Sequence, residues 1–374
     1  MFHKVAKIEL LNTPLPDYTF PEPWDGGTPA LRVTRQADKR RRSRPGWQER
    51  HAVGRDIRAG KGTVQTTLAT SARFSGTGLH GGRQTRVTLR PAPANHGIRF
   101  RRIDADGLGA VIPALWSHLA PSPLCTRIGD DRGRTVATIE HLMAALAGCG
   151  VHNALVDIDG DEVPILDGSS APFVEGILAA GISRLSAPLR VIRLRTPLEV
   201  RHGAARARLD PAPALQIAFA IDFEDAAIGR QDLSVTLANG AFLRELSDSR
   251  TFCRLRDVET MRAAGLARGG NFRNAVVVEG ARVLSPGGLR HPDEPVRHKM
   301  LDALGDLALA GAPILARYSG ERAGHALTAA LVTKLIATPD AWEWTTADSA
   351  ILAGLPCAGA DCSGPRPQDM RATA

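Results

Sequence analysis

Aromatic side chains are scarce in this chain: two Tyr, five Trp and ten Phe among 374 residues. Its cores must therefore be packed mainly with Leu, Val, Ile and Ala. Cysteine is sparse too. Cys125, Cys149, Cys253, Cys357 and Cys362 show no zinc-knuckle spacing, and an odd number leaves one unpaired in any complete disulfide scheme. A reducing compartment is expected. Cys125 itself reads as a small buried residue rather than a nucleophile. Long apolar runs are missing as well. The stretch Ala303 to Leu315 is broken by Gly305, Asp306 and Gly311 and is too short to cross a bilayer. Met1 to Asp17 lacks the apolar core and small-residue site of a signal peptide, so a cytoplasmic protein is expected.

Charge is abundant but unevenly placed. Of the net +8, residues 1–60 contribute +5, from twelve Lys and Arg against seven acids. This leader is rich in Pro and Gly up to Pro29 and then runs Lys39-Arg40-Arg41-Arg42-Ser43-Arg44, a composition that buries too little apolar surface to fold alone. Three readings stand open for it: a disordered tail, a patch for anionic lipid or nucleic acid, and an upstream start site. The remaining residues are only mildly basic, at +3. After about Ala353 the chain again becomes loose in composition, with Gly354, Pro356, Gly359, Gly364, Pro365 and Pro367.

Between these ends the periodicity is mixed. Arg73 to Leu89 reads as a hairpin turning at Gly81-Gly82, Thr138 to Ala147 as a helix stopped by Gly148 and Gly150, and Asn153 to Ile158 as a strand. Ala171 to Ala180 is a second helix ended by Gly181, and Pro188 marks a domain boundary. Strands follow at Leu189 to Leu194 and Leu215 to Phe223, then a helix near Ala241 to Leu246 and another at Val296 to Leu309. Clusters of strands and helices in both halves predict two α+β domains. No internal repeat is visible.

The residues that carry chemistry sit on those helices. His298, Asp302 and Asp306 are spaced four apart in Val296-Arg297-His298-Lys299-Met300-Leu301-Asp302, followed by Gly305 and Asp306, so on a helix they share one side. An imidazole and a carboxylate placed this way form half of a metal site, or an ordinary polar surface face. Glu140-His141 opens an otherwise apolar helix and supplies the complementary half, although a Glu there also suits the helix dipole. Two His and one Asp leave a fourth tetrahedral position open for water, the catalytic arrangement of zinc, and Glu140 is then free as a base. Ser319-Gly320-Glu321-Arg322-Ala323-Gly324-His325-Ala326-Leu327 places a further His on a glycine-flanked turn before a helix.

These segments resemble the UDP-3-O-acyl-N-acetylglucosamine deacetylases, zinc amidases of lipid A synthesis in Gram-negative bacteria. The motifs are Gly78-Leu79-His80-Gly81-Gly82, Leu89-Arg90-Pro91-Ala92-Pro93-Ala94-Asn95, Glu140-His141, Pro164-Ile165-Leu166-Asp167-Gly168-Ser169, Ser249-Arg250-Thr251-Phe252, Val296 to Asp306, and Gly324-His325-Ala326-Leu327, in family order over roughly residues 64 to 346. The resemblance implies a fold of two similar two-layer sheet and helix domains with the active site between them: an N-terminal domain at 63–187 and a C-terminal one at 188–347, flanked by a leader at 1–62 and a flexible tail at 348–374. It implies hydrolysis of the N-acetyl group of UDP-3-O-(3-hydroxyacyl)-N-acetylglucosamine with release of acetate. The metal is zinc, with ferrous iron the alternative in the cell, held by His141, His298 and Asp302.

In the same comparison Glu140 activates the water, His325 protonates the leaving amine with Asp306 orienting it and Lys299 beside it, and Thr251 donates to the oxyanion. Asp222 and Phe223 correspond to uridine contacts, and Lys299 and Arg322 to diphosphate contacts. An insert at about 252–284, beginning with Phe252, corresponds to a hydrophobic passage for the acyl chain, for which Val258, Gly270, Phe272, Val277 and Leu124 are lining candidates. The chain departs from the family at Ala205, where relatives carry a lysine and only Arg206 stands adjacent. It departs again in Arg268-Gly269-Gly270-Asn271-Phe272-Arg273, where a strand would point Arg268 and Arg273 to opposite faces. A monomer that binds no nucleic acid and touches the inner membrane surface only transiently is implied. Two other classes remain: a zinc hydrolase of another acylated amino sugar or amide, separated by the uridine and acyl contacts, and a nucleic-acid binder built on the leader, whose binding would be salt-dependent and lost with residues 1–60.

Overall fold

Helix Glu140–Gly148 (α1) is apolar on nearly every side after its first two residues, and such a helix is stable only when surrounded; eight of its nine residues are buried. The computed structural model describes residues 64–104, 109–122 and 124–357. The expected leader at 1–62 and positions 358–374 of the expected tail lie outside the described residues.

The architecture is α+β, as expected. One five-stranded sheet runs in the order Ala72–Thr77, Gln84–Pro91, Ala154–Ile158, Ile98–Arg102, Ala110–Pro113. The predicted hairpin is its first pair, in register from Ala72 opposite Leu89 to Thr77 opposite Gln84. Helix Ala171–Ala180 (α2) covers this sheet: Phe173 packs edge-on to Phe74 with ring centroids 5.0 Å apart. The helix ends where expected, at Gly181, whose φ of 72° an L side chain resists.

A seven-stranded sheet follows, in the order Leu198–His202, Ala205–Pro211, Ile314–Glu321, Arg190–Leu194, Trp342–Thr346, with Gln216–Asp222 pairing to Ile314–Glu321 and Arg230–Thr236 outside it. Leu255–Ala263 (α3) buries none of its residues. Helices Glu294–Leu307 (α4) and His325–Ala337 (α5) pack on the large sheet. Tyr318, fully buried in its central strand, has its hydroxyl 2.9 Å from that of Thr328 on α5. Pro188 ends the strand Ile182–Pro188, which pairs back to Val64–Leu68.

Three segments take forms that their letters alone leave open. The helix near Ala241 is a single π-helical turn, Phe242–Leu246. Arg268 to Arg273 is a series of turns rather than a strand, and both arginines are exposed; two glycines and an asparagine favour turns over an extended run. Within the expected tail at 348–374, Ser349–Ala353 (α6) is a helix capped by Asp348. Its Ile351, with Leu355, is buried against Leu189, Val191, Leu315 and Ala347.

The close packing of α1 on α4 sets the geometry of the polar residues. Gly305 permits it: a Cβ there would lie 2.1 Å from the carbonyl oxygen of Glu140. Two helix backbones in such contact bring the N-terminal end of α1 beside the last turn of α4, one turn beyond Asp302.

Candidate metal centre and catalytic site

Buried charge is the feature that separates α4 from a polar surface helix. Glu294, His298, Asp302 and Asp306 are all buried, and only Arg297 and Lys299 of its residues keep appreciable exposure. Charges taken from water must be paired or must hold a metal.

His141, from α1, and His298 and Asp302, one turn apart on α4, place their ligand atoms within 4.8 Å of one another. The two imidazoles are edge to face, 4.9 Å between centroids. His298 Nδ1 donates to the Ser249 carbonyl at 3.0 Å, so its neutral ring turns a lone pair at Nε2 toward Asp302 Oδ1, 3.3 Å away. Burial pushes the His298 pKa down to about 3, which keeps the ring neutral. His141 Nε2 is 3.6 Å from the same oxygen. Asp302 Oδ1 is buried and without a hydrogen-bond partner, a costly state unless a cation lies between these donors. Two imidazoles and one carboxylate suit zinc and several other divalent ions.

The other oxygen of Asp302 accepts from Lys299 Nζ at 2.8 Å. Burial opposes the charge on Asp302, but His298, Lys299 and His325 hold its carboxyl well below the usual range. Lys299 also stays charged, because Asp302 and Asp306 outweigh its burial. Its ammonium is thus turned to the Asp302 carboxylate.

Two further titratable groups flank the donors. Burial pushes the Glu140 carboxyl up to about 7, with His325 and His141 opposing the rise. His325, the first residue of α5, has Nε2 3.8 Å from Glu140 Oε1 and 3.7 Å from Asp302 Oδ2. Its Nδ1 donates to Asp306 Oδ2 at 3.0 Å. Burial would neutralise this imidazole, but Asp306, Asp302 and Glu140 raise its pKa to about 10. Asp306 is therefore not a third donor from α4; it orients His325, and its other oxygen accepts from the Thr126 hydroxyl.

Thr126 was not singled out by the sequence reading. Its amide donates to Glu140 Oε2 at 3.0 Å, so one residue holds both the carboxylate and, through Asp306, the imidazole. Ser249 stood in the motif running to Phe252 but had no assigned role. Both act through contacts between distant segments, which no local pattern reveals. His80 had a motif but no assigned role; it feels Glu140 and His325 electrostatically, and burial lowers its pKa.

The remaining candidates fall into two groups. Phe252 lies near the centre, its ring 6.3 Å from that of His298 and 5.5 Å from that of Phe223. Thr251 is fixed beside it: its amide donates to the Gly168 carbonyl at 2.7 Å and its carbonyl accepts from Val276. Gly168 has φ of 89°, and a Cβ there would collide with the Asn274 carbonyl at 2.1 Å. In contrast, Arg322 pairs with Asp222 at 2.6 Å on the exposed side, and Arg206 is engaged by Glu199 and Glu321. Val277 is buried, Val258, Gly270 and Leu124 are half-buried, and Phe272 stands on a turn with 44% of its surface exposed.

Three donors able to hold one metal ion, beside a buried carboxylate and an imidazole held by a second carboxylate, are the groups that the class of metal-dependent hydrolases requires. A family model described as UDP-3-O-acyl N-acetylglycosamine deacetylase matches residues 65–337, and the chain belongs to that family. It is 49% identical over 282 residues to the UDP-3-O-acyl-N-acetylglucosamine deacetylase of Phenylobacterium zucineum, covering 75% of this chain and 96% of that protein. It is 47% identical over 282 residues to the protein of that name from Acidithiobacillus ferrooxidans, covering 75% and 92%. To that of Idiomarina loihiensis it is 44% identical over 286 residues, covering 76% and 93%.

Proposed function

We propose that this chain hydrolyses the N-acetyl group of UDP-3-O-(3-hydroxyacyl)-N-acetylglucosamine, releasing acetate and the free amine on the route to lipid A. The observation that carries the reading is the orphaned Asp302 Oδ1 facing two imidazoles, with Glu140 and His325 on its flank. His141, His298 and Asp302 would hold zinc, with ferrous iron the alternative in the cell. When bound, the metal supplies a water acidic near neutrality and a positive charge for the carbonyl oxygen. Glu140, with its carboxyl near 7, takes the proton of the attacking water. His325 donates a proton from Nε2 to the departing nitrogen while Asp306 holds Nδ1. Thr251 is proposed as a donor to the developing oxyanion, and Lys299 keeps Asp302 ionised.

Phe223 and Asp222 are proposed to meet uridine and Lys299 with Arg322 the diphosphate, the latter by exchanging its pair with Asp222 for phosphate. Val258, Gly270, Phe272, Val277 and Leu124 are proposed along the acyl chain. The division into domains at Pro188 is retained as part of this reading, with the site between the two sheets' helices. A monomer in the cytoplasm is proposed, making at most passing contact with the inner membrane surface. Cys125, Cys253 and Cys357, which form no disulfide, suit a reducing compartment. No helix among the described residues is long and apolar enough to cross a membrane.

The test is acetate release by the zinc-loaded protein. Glu140→Ala is expected to retain metal and lose about 10²–10⁴ in rate, and His298→Ala to lose metal. A folded, zinc-bearing parent inactive on this substrate but active on another N-acyl amino sugar would transfer the chemistry to that substrate.

A further inference from the structure

Helices α1 and α4 have a second working side. They help enclose a cavity of about 410 Å³ to which none of His141, His298, Asp302, Glu140 or His325 contributes a wall. Met143, Leu146 and Ala147 on α1, and Leu304 and Leu307 with Ala308 just past the end of α4, form its helical walls. Each set follows the three-and-four spacing of one helix stripe. Its size falls within the roughly 300–1,000 Å³ typical of small-molecule pockets.

The polar part of the lining carries charge of one sign. Arg99 and Arg190 contribute to it, and no Asp or Glu does. Among the described residues neither arginine forms an ion pair with a carboxylate. Arg99 Nε donates to the His96 carbonyl at 2.9 Å, which leaves its terminal nitrogens available. Arg190 lies with its guanidinium carbon 4.3 Å from the centre of the Trp344 ring. A guanidinium stacked in this manner keeps its N–H edge open for a carboxylate. Apolar walls beside two planar cations that make no ion pair suit a single apolar chain ending in an anion, and a carboxylate is the planar match for a guanidinium edge.

We propose that this cavity binds a long-chain fatty acid, the chain lying against Leu146 and Leu304 and the carboxylate meeting Arg99 and Arg190. The site is separate from the passage proposed for the substrate's acyl group, and its existence does not depend on the deacetylase reading. Ala147 and Ala308, both half-buried on its wall, are the positions where a larger side chain fills it with least disturbance to the core.

The experiment is calorimetric titration of zinc-loaded full-length protein with laurate, and with dodecanol as the uncharged chain of equal length. Photolabelling with a diazirine-bearing laurate then maps the site on the parent. Laurate is expected to bind, and dodecanol about tenfold more weakly, the loss of one charge-assisted contact. The Arg99→Ala/Arg190→Ala double variant should lose at least the same factor. Ala147→Phe and Ala308→Phe should each weaken laurate by about tenfold or more while keeping zinc and the parent melting temperature. Labels on residues 143–151 or 304–314 support the proposal. Labels confined to 252–284 would place the fatty acid in the substrate passage and overturn it. Undetectable laurate binding, equal binding of dodecanol, or unchanged binding by both filled variants would overturn it as well.

Discussion

Replacing Gly305 by alanine separates local from tertiary effects more sharply than any other single change. On propensity alone, alanine for glycine inside a helix stabilises by about 1 kcal/mol. Here the added Cβ would sit 2.1 Å from the Glu140 carbonyl oxygen and 2.8 Å from its carbon. Carbon–oxygen contacts of this kind settle at about 3.3 Å, so α1 and α4 must part by roughly 1 Å. Overpacking of this sort costs about 1–3 kcal/mol, which reverses the sign expected from propensity. The displaced residue is Glu140 itself, and His141 moves with it away from His298 and Asp302. A misplacement of about 1 Å costs on the order of 10² in rate. Gly305→Ala should therefore melt several degrees lower, bind zinc less tightly and release acetate about 100-fold more slowly. The assays are thermal melting, zinc content after dialysis against a weak chelator, and acetate release. A variant that melts higher than the parent, with full zinc and parental rate, would show that the two helices are not in backbone contact.

Glu294, fully buried, accepts from the backbone and guanidinium of Arg250 and from the Arg290 amide. Glu294→Ala should cost about 3–5 kcal/mol in urea denaturation, since it strands a buried guanidinium, and should weaken zinc through the neighbouring Ser249 carbonyl; an unmoved midpoint would refute this. Asp302→Asn should abolish zinc retention while leaving the protein folded, since the amide is a poor ligand; retention of stoichiometric zinc would refute the donor assignment. Burial lowers the His152 pKa to about 4 from 6.5, and its Nδ1 accepts from the Thr66 amide. Because the folded pKa lies below the unfolded one, the stabilisation is complete above about pH 6.5 and is lost as pH falls toward 4. The full shift corresponds to about 3 kcal/mol, and partial exposure of the ring trims this to about 2. His152→Gln should show a fall in stability between pH 7 and 4 that is smaller by that amount, measured by urea midpoints; an equal fall would refute it.

Local regularity is what made much of this protein legible from its letters. The four-residue spacing of His298 and Asp302 is a property of one helix, and the limits of Ala171–Ala180 follow from its apolar run and from Gly181. The Glu140-His141 start of α1 and the hairpin at Ala72–Thr77 were visible for the same reason. At Arg268 to Arg273 local composition decides, because glycine and asparagine favour turns whatever the spacing of their neighbours. The tertiary structure decided what the charged residues do. Periodicity places Asp302 and Asp306 on one side of α4 as equals, yet Asp302 Oδ1 is left facing two imidazoles while Asp306 is claimed by His325 and Thr126. Thr126 and Asp306 are 180 positions apart, and only folding brings them together. Burial likewise favours the uncharged form of both Glu140, whose pKa it raises, and His298, whose pKa it lowers, since the cost of a charge depends on the solvent removed around it. The amino-acid sequence by itself determined which donors exist and which helix each rides on; the packing of α1 against α4 determined that they meet, because convergence on a point is a relation between segments and not a property of either.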